Sequence, residues 1–462
     1  MKKLVEWGLL LIITGSVLAF GGVKPSAYSA MEGTLFLLIV VVLVTQTLSG
    51  RIDLPLPLWI FPFLCLVLLQ TIPLPGRVVS WLSPNRLLPG LQPALAPGAT
   101  HWATLSLYPH DTLLGLLKLG AYLAAFVLAA YAFEAREGKN VLASGLVVLG
   151  SLEAAYGTVQ YLTGYQKILG FTKQFYTEDA TGTYINHNHF AGFLELVIPF
   201  AAMMVFYNLQ PRSSHAVPER RRGRPAGYSL SLHPRILFYA FIVILLLVGV
   251  VFSRSRTGIF SVLVSLVLMG LLGQLGGGRR AWMVITLLVI ACSMTYAIWI
   301  GLGPVISRFE AVTPSAIEDP SGRAAVWKEA SGIARDYPVV GTGLGTFAVA
   351  FRRYQTTLLN SFVDHAHNDY LEVTTDTGIL GAALLFIPII GLVIKMILAY
   401  AGARSAYRRS VLLACIGSAA ALLVHTTMDF NLQIPANALL FAVVLGIGSK
   451  ATYSAAPSGS TM

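Results

Sequence analysis

An all-α polytopic membrane protein is the fold this sequence predicts, and three observations predict it. The 462 residues are 55% hydrophobic and only 11% charged, where a soluble domain carries about 25% charged residues. Mean hydropathy is +0.70. The apolar residues also gather into runs of the length that crosses a bilayer as a helix, about 20 residues.

In chain order, the runs lie at about 4–22, 34–49, 54–74, 112–133, 139–162, 190–209, 236–253, 257–274, 281–302, 379–400, 410–427 and 433–449, which makes about 12 transmembrane helices. The third is interrupted by prolines, and the fifth holds Glu153 and Gln160. Met1-Lys2-Lys3 before an apolar run, with Ala27-Tyr28-Ser29-Ala30 after it, imitates a cleavable leader. The many spans that follow favour an uncleaved first helix. The chain therefore divides into 1–302 (helices 1–9), a long polar loop 303–378, 379–450 (helices 10–12) and a small polar tail, 451–462, expected to be disordered. Cys65, Cys292 and Cys415 all fall in apolar runs without metal-ligand spacing and read as buried small apolar side chains.

A formal net charge of +11 would suit nucleic acid, but its placement excludes that reading. With the N-terminus on the cytoplasmic side, nearly every short basic cluster falls inside: Lys2/Lys3, Arg51, Arg136/Lys139, the Arg-rich 210–235 connector, Arg279/Arg280, Arg404/Arg408/Arg409 and Lys450. That is the positive-inside pattern, with both termini cytoplasmic.

Under this threading four polar segments face outward together. They are Gly182-Thr-Tyr-Ile-Asn-His-Asn-His-Phe-Ala-Gly192, Ser253-Arg-Ser-Arg-Thr-Gly258, the loop 303–378 and His425-Thr-Thr-Met-Asp-Phe-Asn431. Ionisable groups so close to a bilayer are costly and are kept for function. Within the loop, residues 323–335 predict a helix whose Val326, Ala330 and Ile333 share one face with Trp327 and Ala334, able to lie on the bilayer or cap the bundle. Asp336-Tyr337-Pro338 ends it. Gly341-Thr-Gly-Leu-Gly345 follows, either a tight turn or a cradle of backbone N–H groups for a phosphate, and then a short amphipathic segment to Tyr354. Asp364-His-Ala-His-Asn-Asp-Tyr-Leu371 packs two histidines and two carboxylates together, and histidine is the side chain suited to moving protons near neutral pH.

Several of these pieces resemble the O-antigen ligase / O-antigen polymerase superfamily of bacterial integral membrane glycosyltransferases. The likeness is carried by Arg323…Trp327, Asp336-Tyr-Pro-Val-Val-Gly-Thr-Gly-Leu-Gly345 and His367-Asn-Asp-Tyr-Leu-Glu…Thr377-Gly-Ile-Leu-Gly381. The 182–192 element, Ser255-Arg-Thr-Gly258 and His425…Asp429-Phe-Asn-Leu-Gln-Ile-Pro435 add to it. It covers roughly 110–449. The resemblance implies a GT-C-like fold in the inner membrane with a periplasmic active site. It implies a glycan donor on undecaprenyl diphosphate and an acceptor on lipid A–core, or another glycan or a protein in the superfamily's polymerases and protein O-oligosaccharyltransferases. It implies no cofactor and no metal.

The residues fit that chemistry. A sugar diphosphate needs positive charge on its leaving group and a base for the acceptor hydroxyl. His367 is the expected base, with His365 as neighbour and Asp369 or Glu372 orienting the ring. A structural histidine is the plainer alternative. Arg256, then Arg254, Arg323 and Arg352, are the expected diphosphate contacts, because a guanidinium stays charged and pairs phosphate oxygens. Snorkelling at helix ends or a surface salt bridge to Glu310 or Asp319 would also account for arginines there. Asn188 and His189 suit donor binding or loop packing, and Asn368 belongs to the same support. His425 and Asp429 read as a buried polar pair beneath the site. The superfamily's arginine near Gly-Thr-Tyr-Ile-Asn has no counterpart here, Lys173 being the nearest preceding cation. A transporter for the same lipid is the rival from another class. It would place its polar groups near the midplane, whereas here they sit in loops on one face.

Overall fold

The computed structural model describes residues 1–50, 52–87, 102–134, 140–209, 234–275, 323–356 and 362–453. Its helices are α1 (Lys2–Leu18), α2 (Pro25–Leu48), α3 (Phe61–Thr71), α4 (Gly76–Leu82), α5 (Pro109–Ala132), α6 (Val141–Thr163) and α7 (His187–Leu209), then α8 (Pro234–Phe252) and α9 (Arg256–Leu275). After them come α10 (Arg323–Asp336), α11 (Phe347–Phe351), α12 (Asp369–Gly402), α13 (Ala406–His425) and α14 (Pro435–Tyr453). Two short antiparallel hairpins, 74–75 with 102–103 and 167–168 with 171–172, decorate the loops.

The protein is an all-α polytopic membrane protein. Among the described residues nine helices are long and apolar enough to cross a bilayer: α2, α5–α9 and α12–α14. Of the expected spans, 281–302 lies outside the described residues, as do most of the 210–235 connector, Arg279, Arg280, residues 303–322 and the tail beyond 453. Two others are shorter than expected. The α1 helix has 17 residues, and the proline-interrupted third run is helical only over Leu58–Thr71. Cys415 is buried as expected, but Cys65 is exposed on the outer face of α3.

Local sequence sets the helix ends. Proline opens α2 and α5 in the first turn, where its missing N–H costs nothing. Asn368 caps α12, its side chain accepting from the Leu371 N–H, and Ser405 caps α13 in the same way. Gly164, in the left-handed region, closes α6.

At the centre stands α7, almost wholly buried and packed on α6, α8, α9 and α13. The α14 helix packs on α5 and α13. By contrast, α2 and α8 keep most of their apolar surface outward, where lipid replaces protein. The amino-terminal helix is part of the bundle: α1 packs on α5, α6 and α14, and the Val141 N–H donates to Glu6 at 3.1 Å.

Basic residues collect at one end. There Lys2 meets Glu134 at 3.5 Å, Asn140 donates to the Tyr407 hydroxyl at 2.6 Å, and Arg408 donates to the Ala451 and Thr452 carbonyls. The polar motifs collect at the other end, 20-residue helices away, about 30 Å.

The polar segment before α12 folds over that second end. Val326, Ala330 and Ile333 of α10 are buried with Tyr337, Phe347, Phe351 and Ala366, so the α10 stripe caps the bundle. A break in α12 makes room for it. Gly378 has φ +69°, and a side chain there would run into the Val339 backbone. At this break the Ile379 N–H donates to Pro338 O and the Thr342 N–H to Thr375 O, so the 338–343 strand of chain docks through backbone hydrogen bonds.

Candidate functional site

Four segments distant in sequence meet at this end: 176–189, 253–256, 323 with 362–372, and 425–432. Gly192 permits one close approach, because a side chain there would overlap Asn431 of the α13–α14 turn. Asn437 holds the same junction, donating to His189 O and to Asn431, while its own carbonyl oxygen accepts from the Tyr184 hydroxyl at 2.9 Å.

The 364–369 segment is shaped by α12. Glu372, one turn into the helix, accepts from the Ala366 N–H at 2.8 Å and sits 2.8 Å from His365 Nδ1. The Trp327 indole of α10 donates to Ala366 O at 2.9 Å. Between these anchors His367 takes φ +51°, a left-handed turn uncommon outside glycine. Asn368, expected as a site residue, is the helix cap. Asp369 is fully buried and accepts from the Leu432 N–H at 2.9 Å, while its own N–H donates to Thr426 O. Neither Asp369 nor Glu372 orients His367, contrary to expectation, since each is held by other partners.

The group facing His367 is Asp429. Its carboxylate has no solvent exposure and lies 3.8 Å from His367 Nδ1, 3.6 Å from His189 Nε2 and 3.2 Å from an Arg323 terminal nitrogen. The two imidazole distances exceed a formed hydrogen bond. Burial alone would raise the Asp429 pKa. The facing His189 and His367 and the Arg323 charge instead hold it well below the usual carboxylate range. Arg323 is fixed further by donation to Met428 O at 2.5 Å. The Phe430 ring packs all three histidines: His365 stacks on it at 4.4 Å, and His189 and His367 meet it edge-on at 4.7 and 4.8 Å.

Asp429 is the residue that sequence reasoning undervalued. The expected His425–Asp429 pair does not form. His425 Nδ1 instead lies 2.9 Å from Glu195 Oε2, both side chains having no exposure. The signal that could have found them is simple: Glu195 is an acid inside an apolar run, and Asp429 is an acid in a short turn between two spans.

A second charged group forms the rim. Arg254, at φ +59°, pairs with Asp179 at 3.2 Å and Glu178 at 3.3 Å. His187 Nδ1 lies 3.1 Å from Asp179 and donates to Ser253 O at 2.5 Å, with the Tyr176 ring stacked on it at 4.4 Å. Tyr176 links rim and centre. Burial and then the Asp429 charge push its phenol pKa up, while Arg323 opposes. Lys173, the cation considered in place of the missing arginine, is buried and donates to Asp179 O at 2.8 Å; burial pulls its pKa down to about 8, against the pull of Asp179.

The remaining expected residues are placed as follows. Arg256 is exposed at the first position of α9. Arg352, just past α11, lies over the Phe362 ring at 5.1 Å. Asn188 is buried, its N–H donating to Asn186 Oδ1. The Gly341–Gly345 stretch is a structural turn rather than a phosphate cradle. Its N–H groups at 342, 343, 344 and 345 donate to Thr375 O, Asp376 O, Gln70 Oε1 and Asp376 Oδ2.

Next to the site opens an apolar groove of about 400 Å³ between α2, α3, α5, α12 and α14. Leu432 and Gln433, beside Phe430, and Gly345 and Asp111 form its mouth, and it descends past Lys118 and Leu119 to Phe126 and Leu445. From Asp111 to Phe126 along α5 is roughly 22 Å.

Fold and site together define a polytopic membrane protein with a histidine–carboxylate–arginine centre at one end of its bundle. Residues 241–386, under a third of the chain, match the family model of the O-antigen ligases, so this part of the chain is similar to that family, whose members are glycosyltransferase-like enzymes. The match contains Arg254, Arg256, Arg323, His365 and His367, whereas Asp429 and His189 lie outside it. No curated protein matches the chain.

Proposed function

We propose that this protein is an O-antigen ligase-type transferase that moves a glycan from undecaprenyl diphosphate to an acceptor hydroxyl of a lipid A–core sugar. The observation that carries this reading is the His367 imidazole set against the buried Asp429 carboxylate, which Arg323 also pairs. With Nδ1 turned to Asp429, Nε2 of His367 takes the acceptor proton. The acceptor oxygen then attacks the anomeric carbon as the carbon–oxygen bond to the diphosphate breaks, with inversion and no covalent enzyme intermediate. Asp429 keeps the ring oriented and stabilises the imidazolium that forms.

The leaving diphosphate takes the negative charge, and Arg323 and Arg256 are its proposed partners. Arg256 stands where the positive end of the α9 dipole adds to its own charge, an arrangement unfavourable to the helix and favourable to an anion. Arg254, already compensated by Asp179 and Glu178, supports from the rim. The groove beside Leu432 suits the polyprenyl tail, being apolar, open to one side and continuous with the site's end of the bundle.

The basic clusters at the opposite end support the positive-inside orientation: inner membrane, termini cytoplasmic, site periplasmic. The test is transfer by the purified protein in nanodiscs from a lipid-linked glycan to lipid A–core. Wild-type protein transfers and His367→Ala does not. A His367→Ala rate equal to wild type overturns the catalytic role, and elongation of the donor glycan in place of transfer to lipid A–core makes the enzyme a polymerase.

A further inference from the structure

Asp429 is the midpoint of the 426–432 segment between α13 and α14, and one residue grips both ends of that segment. It is Asp369, the first residue of α12. The Asp369 N–H donates to Thr426 O at 3.0 Å, and the Leu432 N–H donates to Asp369 Oδ2 at 2.9 Å. The next residue adds a third stitch: the Tyr370 hydroxyl donates to Leu423 O, in the last turn of α13, at 2.7 Å. His367 lies two residues before Asp369. The imidazole and the carboxylate it faces, far apart in sequence, are thus joined by a short path through the Asp369 bonds.

An acid in the first turn of a helix is commonly explained by the helix dipole, which favours negative charge there. That explanation suits an exposed side chain. Asp369 has no solvent exposure, and burying a carboxyl costs more than a helix terminus returns. Its Oδ1 is buried and makes no hydrogen bond among the described residues, so the bond from Leu432 is the one its side chain makes. Glu372, one turn further on, holds the other side of the imidazole by accepting from the Ala366 N–H at 2.8 Å. His367 is fixed to the start of α12, and the start of α12 is fixed to the Asp429 turn. The Thr426 bond uses backbone atoms and survives a change of side chain, so the side chain decides the Leu432 end.

We propose that Asp369 is a positioning residue: its carboxyl oxygen holds the Leu432 end of the turn and so sets the distance between the Asp429 carboxylate and the His367 ring. It touches neither that ring nor substrate. The bond it makes needs an acceptor oxygen and not a charge. The kinetic consequence rests on the glycan-transfer reading, in which His367 is the base. A misplacement of about 1 Å in such a pair costs up to about 10²-fold in rate.

The test measures amide hydrogen exchange and steady-state transfer on the full chain in nanodiscs, for Asp369→Ala, Asp369→Asn and Asp369→Ala combined with Asp429→Asn. Asp369→Ala is expected to speed exchange across 425–432 by about tenfold, the loss of one hydrogen bond. Its kcat is expected to fall by about 10–100-fold, with donor KM within about twofold of wild type. Asp369→Asn, which keeps an acceptor oxygen, restores both exchange and kcat. In the Asp429→Asn background the Asp369→Ala change costs less than about threefold more, because the residue acts through Asp429. A role in general stability would instead multiply the two losses. Should Asp369→Ala fail to fold, Asp369→Val fills the space without an acceptor and serves in its place. Unchanged exchange in Asp369→Ala overturns the proposal. So does an Asp369→Asn enzyme as slow as Asp369→Ala, or a full further loss in the Asp429→Asn background. A wild-type protein that transfers no glycan defeats the functional reading alone, and the exchange measurement still decides whether Asp369 holds the turn.

Discussion

His367 Nδ1 faces Asp429 Oδ1 at 3.8 Å, across 62 residues of chain, and the carboxylate it faces has no solvent exposure. A base must hold one ring nitrogen toward its substrate, and a buried carboxylate on the other nitrogen does that. Asp429→Asn keeps the shape and removes the charge. The expected outcome is a fall in kcat of about 10²–10⁴ with little change in donor KM. His367→Ala falls into the same range, and the double variant is no worse than the more damaging single one, because the pair acts as a unit. Steady-state transfer kinetics check this, and fully additive losses would separate the two residues.

Arg323 divides its interactions between Asp429 and the open site. Arg323→Ala is expected to raise donor KM and lower kcat together, since it both removes charge from the diphosphate and leaves Asp429 less compensated. Arg256→Ala is expected to act mainly on the donor, and Arg256→Lys to restore it only in part, lacking the bidentate fork. An Arg256→Ala enzyme with unchanged donor kinetics would remove it from the phosphate set.

The pH dependence follows from His365. Burial would lower its pKa, but Glu372 at 2.8 Å outweighs this and raises it to about 9. The unfolded value is about 6.5. A raised histidine contributes stability fully below the unfolded pKa and loses it as pH rises through about 9. Melting temperature is therefore expected to fall between about pH 6.5 and 9, and Glu372→Gln should flatten that slope. Asp429 acts in the opposite sense: its depressed pKa contributes stability above the unfolded value of about 3.9, lost only as pH falls below it.

Glu195 and His425 form a pair with no exposure beneath the site. Removing one partner leaves a buried polar group without compensation, so Glu195→Ala or His425→Ala is expected to cost about 3–5 kcal/mol. Thermal unfolding in detergent reads this directly. A change below about 1 kcal/mol would show that lipid or water compensates the remaining partner.

Ala442 lines the groove beside the site. Ala442→Trp narrows it and is expected to raise KM several-fold for a long polyprenyl donor while leaving a short-chain donor nearly unaffected. Equal effects on both donors would place the lipid tail elsewhere.

Much of this architecture is legible in the chain itself. Hydropathy located nine of the twelve expected spans on described helices long and apolar enough to cross a bilayer, because the cost of exposing backbone and charge to hydrocarbon acts on each segment separately. The α10 stripe of Val326, Ala330 and Ile333 is a local 3.6-residue pattern, and the Asn368 cap is a local competition for the first N–H groups of α12. The charge distribution already separated a basic end from a polar one. What only the tertiary structure decided is which polar groups meet. Glu372 serves His365 and not His367, the Gly341–Gly345 turn is taken up by Asp376 and Gln70, His425 goes to Glu195, and Asp429 receives His367, His189 and Arg323. Those pairings depend on how α3, α7, α10, α12 and α13 cross, distances set by packing between segments up to 274 residues apart. Hydropathy and capping are properties of a segment, whereas the partner of a buried charge is a property of the packed bundle.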